Sequence, residues 1–175
     1  MLKRLAIVLM FSAGVLLILG SLYYWELDYS DLASIALPKS LAGLPLSKAS
    51  YGPEAVAEIT SLHQKDFSLL SGAMGIYGSE RQITVWAARF SSNSTAAQMV
   101  NNMREKISAG NSPFSPRREQ QIGARTIYEL DGMGQKHFYF QSGDLVIWLA
   151  TNIEIADQGL NAALEFYEVP RKRYP

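Results

Sequence analysis

From Leu5 to Trp25 the chain is apolar at nearly every position and carries no charge (LAIVLMFSAGVLLILGSLYYW). A run of about 20 apolar residues, rising ~1.5 Å per residue as a helix, matches a hydrocarbon core of about 30 Å. Lys3 and Arg4 precede the run; Glu26, Asp28 and Asp31 follow it. Cationic flanks stay with the cytoplasmic leaflet, so the expected topology is single-pass, N-terminus cytoplasmic and the rest extracytoplasmic (periplasmic if the cell is bacterial). Tyr23, Tyr24 and Trp25 fall where amphipathic rings favour the headgroup layer. The run exceeds the ~7–15 apolar residues of a cleavable signal and has no small-x-small site beside it, which favours a signal anchor over residues 1–25. Ala6, Ala13 and Gly20 recur at a fixed step, with Gly14 and Ser21 beside them. On a helix these form a stripe of low side-chain volume, a transmembrane packing face for another helix.

Past residue 25 the pattern breaks into short periodic segments. Residues 26–50, with Pro38, Gly43 and Pro45, read as a lead-in that ends in an edge strand over 44–49. Gly52-Pro53-Glu54 opens a helix with Val56, Ile59, Leu62 and His63 on one face. Segments 69–77 and 82–90 read as a hairpin about Gly78-Ser79-Glu80. A second helix begins at Asn93-Ser94-Thr95, with Thr95 and Gln98 at capping-box spacing and Ala96, Met99, Val100, Met103 and Ile107 as its apolar stripe. Gly110 ends that helix, and 111–122 (NSPFSPRREQQI) reads as a surface loop. Strands over 125–130, 136–141 and 145–151 follow, turning at Asp131-Gly132-Met133-Gly134 and Ser142-Gly143-Asp144. A last helix aligns Ala156, Leu160, Ala163, Leu164 and Tyr167, and Pro170 stops it before a basic tail at 171–175.

The expected fold is α+β: a single N-terminal transmembrane helix, then a domain over 51–170. That domain is expected to hold an antiparallel sheet of about five strands, with helices packed mainly on one face. ITVWAARF and LVIWLATN share an apolar-Trp-apolar-Ala core, a degenerate internal duplication. Both segments are apolar on both faces, against the alternation expected of a half-wet sheet. Either the chain covers both faces with its own helices, or a partner or apolar ligand covers a face around Trp86, Phe90 and Trp148.

Composition narrows the functions. From Glu26 onward 14 basic residues face 16 acidic ones, a net of −2 that argues against binding nucleic acid. The absence of cysteine excludes disulfides, thiolate metal sites and cysteine nucleophiles. His63 and His137 are the two histidines, and their spacing matches no metal or haem motif; satisfied structural histidines are the expectation, with no cofactor. No serine lies in a G-x-S-x-G elbow, and Gly132-Met133-Gly134 sits between strands, where it reads as a turn. Arg117-Arg118 and the tail can meet anionic headgroups, although solvation is the commoner outcome for such charges.

The function expected is an accessory or assembly subunit of a membrane complex. Its partners would be the bilayer and other transmembrane proteins, and it would not be an enzyme. The alternatives are a tethered sensor or carrier holding an apolar ligand at Trp86 and Trp148, and an enzyme with a site of dispersed residues.

Overall fold

The computed structural model describes residues 35–63, 69–110 and 112–168, excluding the side chains at 62 and 63. The expected span with Ala6, Ala13, Gly14, Gly20 and Ser21, and the tail from 171, lie outside the described residues. Those described belong to one compact unit that begins at Ile35.

Eight strands run through it: β1 (Ser40–Leu41), β2 (Leu44–Tyr51), β3 (Ser71–Tyr77), β4 (Ile83–Arg89), β5 (Ser115–Ile122), β6 (Arg125–Gly132), β7 (Gln135–Ser142) and β8 (Leu145–Thr151). They form one antiparallel sheet in the order β1-β2-β3-β4-β8-β7-β6-β5. Three short helices accompany it: α1 (Gly52–His63), α2 (Asn93–Ser108) and α3 (Ala156–Phe166). This corrects the expected α+β fold, in which about five strands carried helices mainly on one face. The sheet dominates, and the helices divide between its two faces. Among the described residues no helix is long and apolar enough to cross a membrane.

The division follows from β4 and β8, which are apolar on both sides. Ile83, Val85, Ala87, Ile147 and Leu149 pack with Ala156, Leu160, Ala163 and Leu164 of α3 and with Ile35 and Leu41 of the lead-in. On the other face, Ala88, Phe90, Val146, Tyr128 and Tyr139 meet the full predicted stripe of α2 and Ile59 of α1. Helix α1 lies against β3 at Gly72, where an added Cβ would sit 3.0 Å from the Val56 amide nitrogen, so only glycine fits without displacing the helix. The two Trp-bearing segments are β4 and β8, hydrogen-bonded neighbours with Trp86 opposite Trp148. The helices that follow them, α2 and α3, cover opposite faces, so the likeness does not extend beyond the strands.

Two further expectations are corrected. Residues 115–122 form strand β5 and not a loop; Ser115 to Glu119 are exposed, and a bulge falls between Pro116 and Arg118. The cap of α2 is Ser92, whose Oγ accepts from the Thr95 amide at 3.1 Å, so Thr95 occupies the third helical position. Strands β5 to β8 are joined by two-residue turns at 123–124, 133–134 and 143–144, with Gly123, Met133 and Gly143 all at positive φ.

The lead-in is part of this structure. Ile35 is buried, the Tyr167 hydroxyl donates to the Ala36 carbonyl at 3.3 Å, and the Tyr77 hydroxyl donates to the Pro38 carbonyl at 3.1 Å. Burial raises the pKa of both phenols, which therefore remain donors.

Candidate functional site

The residues expected to form an interaction face do come together, within a longer row. Because each turn of the meander has two residues, it reflects one strand onto the next about its centre. Across β6, β7 and β8 this puts Tyr128 opposite Tyr139 and Tyr139 opposite Trp148; the register of β8 with β4 and of β4 with β3 then sets Trp148 opposite Trp86, and Trp86 opposite Met74. The Tyr128 and Tyr139 rings stack at 4.7 Å and 11°, and Tyr139 stacks on Trp148 at 5.5 Å and 9°. One aromatic row thus crosses four adjacent strands. Met99 and Met103 of α2 pack over this face, and Trp86 and Trp148 are left half-buried. Phe90, just past β4, is buried, and its amide donates to the Asp144 carbonyl at 2.9 Å.

His137 belongs to the same cluster. The Trp148 indole N–H donates to His137 Nδ1 at 3.1 Å, and His137 Nε2 lies 3.1 Å from the Gly132 carbonyl. Nδ1 must accept, so the proton of the neutral ring sits on Nε2 and points at that carbonyl. Burial is the largest influence on the imidazole and lowers its pKa; the Gly132 contact works against it more weakly. Phe114 closes the cluster, 4.6 Å from the His137 ring and 5.0 Å from Trp148. Gly132 admits it: a Cβ there would lie 2.4 Å from the Phe114 ring. With both ring nitrogens engaged, His137 ties β8 to the β6–β7 turn and has no lone pair directed at solvent. His63 ends α1, its side chain outside those described. Among the described residues no group of three or more His, Asp or Glu is placed to hold a metal.

Beyond Tyr128 the row opens into a cleft of about 420 Å³ between α2 and the ends of β6 and β7, lined in part by Asn93, Asn101, Arg125, Thr126 and Gln141. Its polar groups are partly engaged by the chain itself. Gln141 Nε2 donates to the Asn93 and Gly143 carbonyls, both at 2.7 Å, and Arg125 donates to the Tyr167 carbonyl at 3.3 Å. Ser142 also donates its hydroxyl to the Tyr167 carbonyl, which leaves it no activating base. The cleft offers amides and a guanidinium, a hydrogen-bonding surface.

Arg117 and Arg118 are both engaged in ion pairs. Arg117 pairs with Asp131 and Arg118 with Glu129 at 3.0 Å, while Lys136 bridges Glu129 at 2.8 Å and Asp131 at 2.9 Å. Of the aromatic row, the sequence points to Trp86 and Trp148 but not to Tyr128 and Tyr139, nor to Phe114 beside them. Reflection about the observed turn at 133–134 pairs Tyr128 with Tyr139; the expected turn over 131–134 is centred one residue earlier and pairs Tyr128 with His137 instead. Comparison with known proteins finds no matching family model, no matching curated protein and no matching solved structure, so the reading of function rests on this geometry.

Proposed function

We propose that the chain is an accessory or assembly subunit of a membrane protein complex, tethered through its apolar run at 5–25 with the domain outside the cytoplasm. The observation that carries this reading is the docking of the lead-in. Ile35 is in the core and two tyrosine hydroxyls hold Ala36 and Pro38, so only nine residues, 26–34, separate Trp25 from the packed domain. A freely swinging domain needs no such clamp; one that must meet a neighbouring protein at a set height does. Full-length protein purified in mild detergent is expected to bring down defined membrane proteins. Ala13→Leu or Gly20→Leu is expected to weaken that association, because a bulky side chain holds helix backbones apart. A protein that purifies alone, or associations indifferent to both substitutions, would count against the reading.

A second reading is favoured by the Trp86–Trp148 pair, half-buried beneath the methionines of α2. Methionine is adaptable and polarizable, so a helix seated through it can shift to admit an apolar ligand against the indoles. In full-length Trp25→Phe protein, an apolar dye is then expected to bind and to protect both remaining tryptophans from an aqueous quencher. Quenching that is unchanged at saturating dye would dismiss this carrier reading.

A further inference from the structure

The geometry points to the sheet end carrying Tyr51, Leu70 and Phe166 as a surface that rests on lipid. Strand register defines the two ends of the sheet. Tyr51 pairs with Ala73, Ser71 with Arg89, Arg89 with Leu145 and Leu145 with Ser142, which collects these residues at one end. Tyr167, bonded to Ser142 and Arg125, puts the close of α3 at the same end, with Phe166 packed edge-on against it at 4.9 Å. The turns at 42–43 and 133–134 and the segment after Thr151 lie at the opposite end.

Exposed apolar side chains occur at both ends. Tyr51 is 47 % exposed, Leu70 55 % and Phe166 42 %; at the far end Met133 is 79 % and Ile153 59 %. Exposure therefore does not choose between them, but the course of the chain does. From the turn at 42–43 the lead-in runs back along the sheet, past Pro38, held by the Tyr77 hydroxyl, until the Ala36 carbonyl accepts from the hydroxyl of Tyr167, the residue that closes α3. Nine residues, 26–34, connect Ile35 to the apolar run, and an extended chain across that gap reaches at most about 35 Å. The described chain also leaves from this end, at Glu168, and the sequence then reads Arg171-Lys172-Arg173. Tyrosine and phenylalanine are suited to the headgroup boundary, and a basic segment is drawn to anionic lipid. The described lead-in is thus directed toward, and the described chain ends at, the surface that carries these aromatic residues, and the occupant that fits it is a bilayer that contains anionic lipid.

This inference rests on the tethered reading above, and the test separates the two. The chain has no cysteine, so single cysteines introduced as Y51C, L70C, F166C, M133C and I153C can each carry an environment-sensitive fluorophore. Full-length protein is reconstituted into phosphatidylcholine vesicles with and without phosphatidylglycerol. Labels at 51, 70 and 166 are expected to emit to the blue and to be several-fold less accessible to aqueous iodide than labels at 133 and 153, more so with phosphatidylglycerol. Protein that fails to partition into vesicles would remove the tether and this inference together. Protein that partitions, yet shows equal accessibility at both ends or protection at 133 and 153, would overturn the inference alone. Protection at 51, 70 and 166 in native membranes but not in pure lipid vesicles would also overturn it, by assigning that end to a protein.

Discussion

Replacing Tyr139 with alanine is expected to cost roughly 3–5 kcal/mol of folding stability, the range for deleting a fully buried aromatic side chain. Tyr139 is 1 % exposed and stacks on Tyr128 and Trp148, one on each side. Its loss leaves a void beneath α2 and removes two ring contacts worth about 0.5–1.5 kcal/mol each beyond their area. A domain of this size is stable by only about 5–15 kcal/mol, so the variant should melt early and lose near-ultraviolet ellipticity from Trp148. Two controls divide the effect. Tyr139→Phe keeps both rings and should stay close to the parent; Tyr139→Leu keeps apolar bulk without stacking and should fall between. Denaturant midpoints decide the order. If leucine equals phenylalanine, stacking contributes nothing measurable and burial alone accounts for the site.

The second large effect is expected at His137 and depends on pH. Its folded imidazole binds a proton more weakly than the ordinary value of 6.5, because charge there would be desolvated and would lose the Trp148 N–H. The unfolded chain therefore protonates first as pH falls. Stability is complete above about pH 6.5 and declines below it toward the lower folded value, by at most about 1.4 kcal/mol per pH unit. His137→Gln, whose amide can accept from Trp148 and donate to Gly132, should flatten the profile in that window. His137→Ala should cost roughly 2–4 kcal/mol at neutral pH, by leaving a cavity and two unpaired polar groups. His63 is present in parent and variant alike, so the difference between their profiles belongs to His137. Asp131 acts lower. The hydrogen bond from Lys136, and then that from Arg117, holds its carboxyl below 3.8, so its contribution is present above that value and lost only as pH falls through the carboxylate range. An identical acid response in parent and H137Q would show that His137 does not titrate with folding.

What could be read from the sequence depended on whether a residue's partners were local. The stripe Ala96, Met99, Val100, Met103 and Ile107 is buried as its helical spacing implies, because one helix face needs only one sheet beneath it. Hairpins β6-β7 and β7-β8 were legible from their turn residues. Strand β5 was not: SPRREQQI has no apolar alternation, and its hairpin with β6 is tied by charged pairs, Arg118 with Glu129 and Arg117 with Asp131, where an apolar face would have marked a strand. The cap of α2 was misplaced because Ser91, Ser92, Ser94 and Thr95 all carry suitable hydroxyls, and only the observed bond to the Thr95 amide selects among them. The helices were assigned mainly to one side because periodicity tells which face of a helix is dry but not which face of a sheet it meets. The doubly apolar β4 and β8 held that information, since two dry faces require cover on both.

The borders of the sheet have a consequence for how this domain can be recognised. At one border β1 is two residues long; at the other β5 presents exposed Arg117, Arg118 and Glu119, a proline without an N–H, and a bulge. A long flat border with free amides invites a foreign strand to pair with it, whereas short, charged or kinked ones refuse it. The β5 border refuses a ninth strand in this way. At the other border β2 runs on past the two-residue β1, and from Ser47 to Tyr51 its strand partner among the described residues is β3 alone. A foreign strand that joins this sheet by backbone pairing must therefore come to β2, beside Lys48.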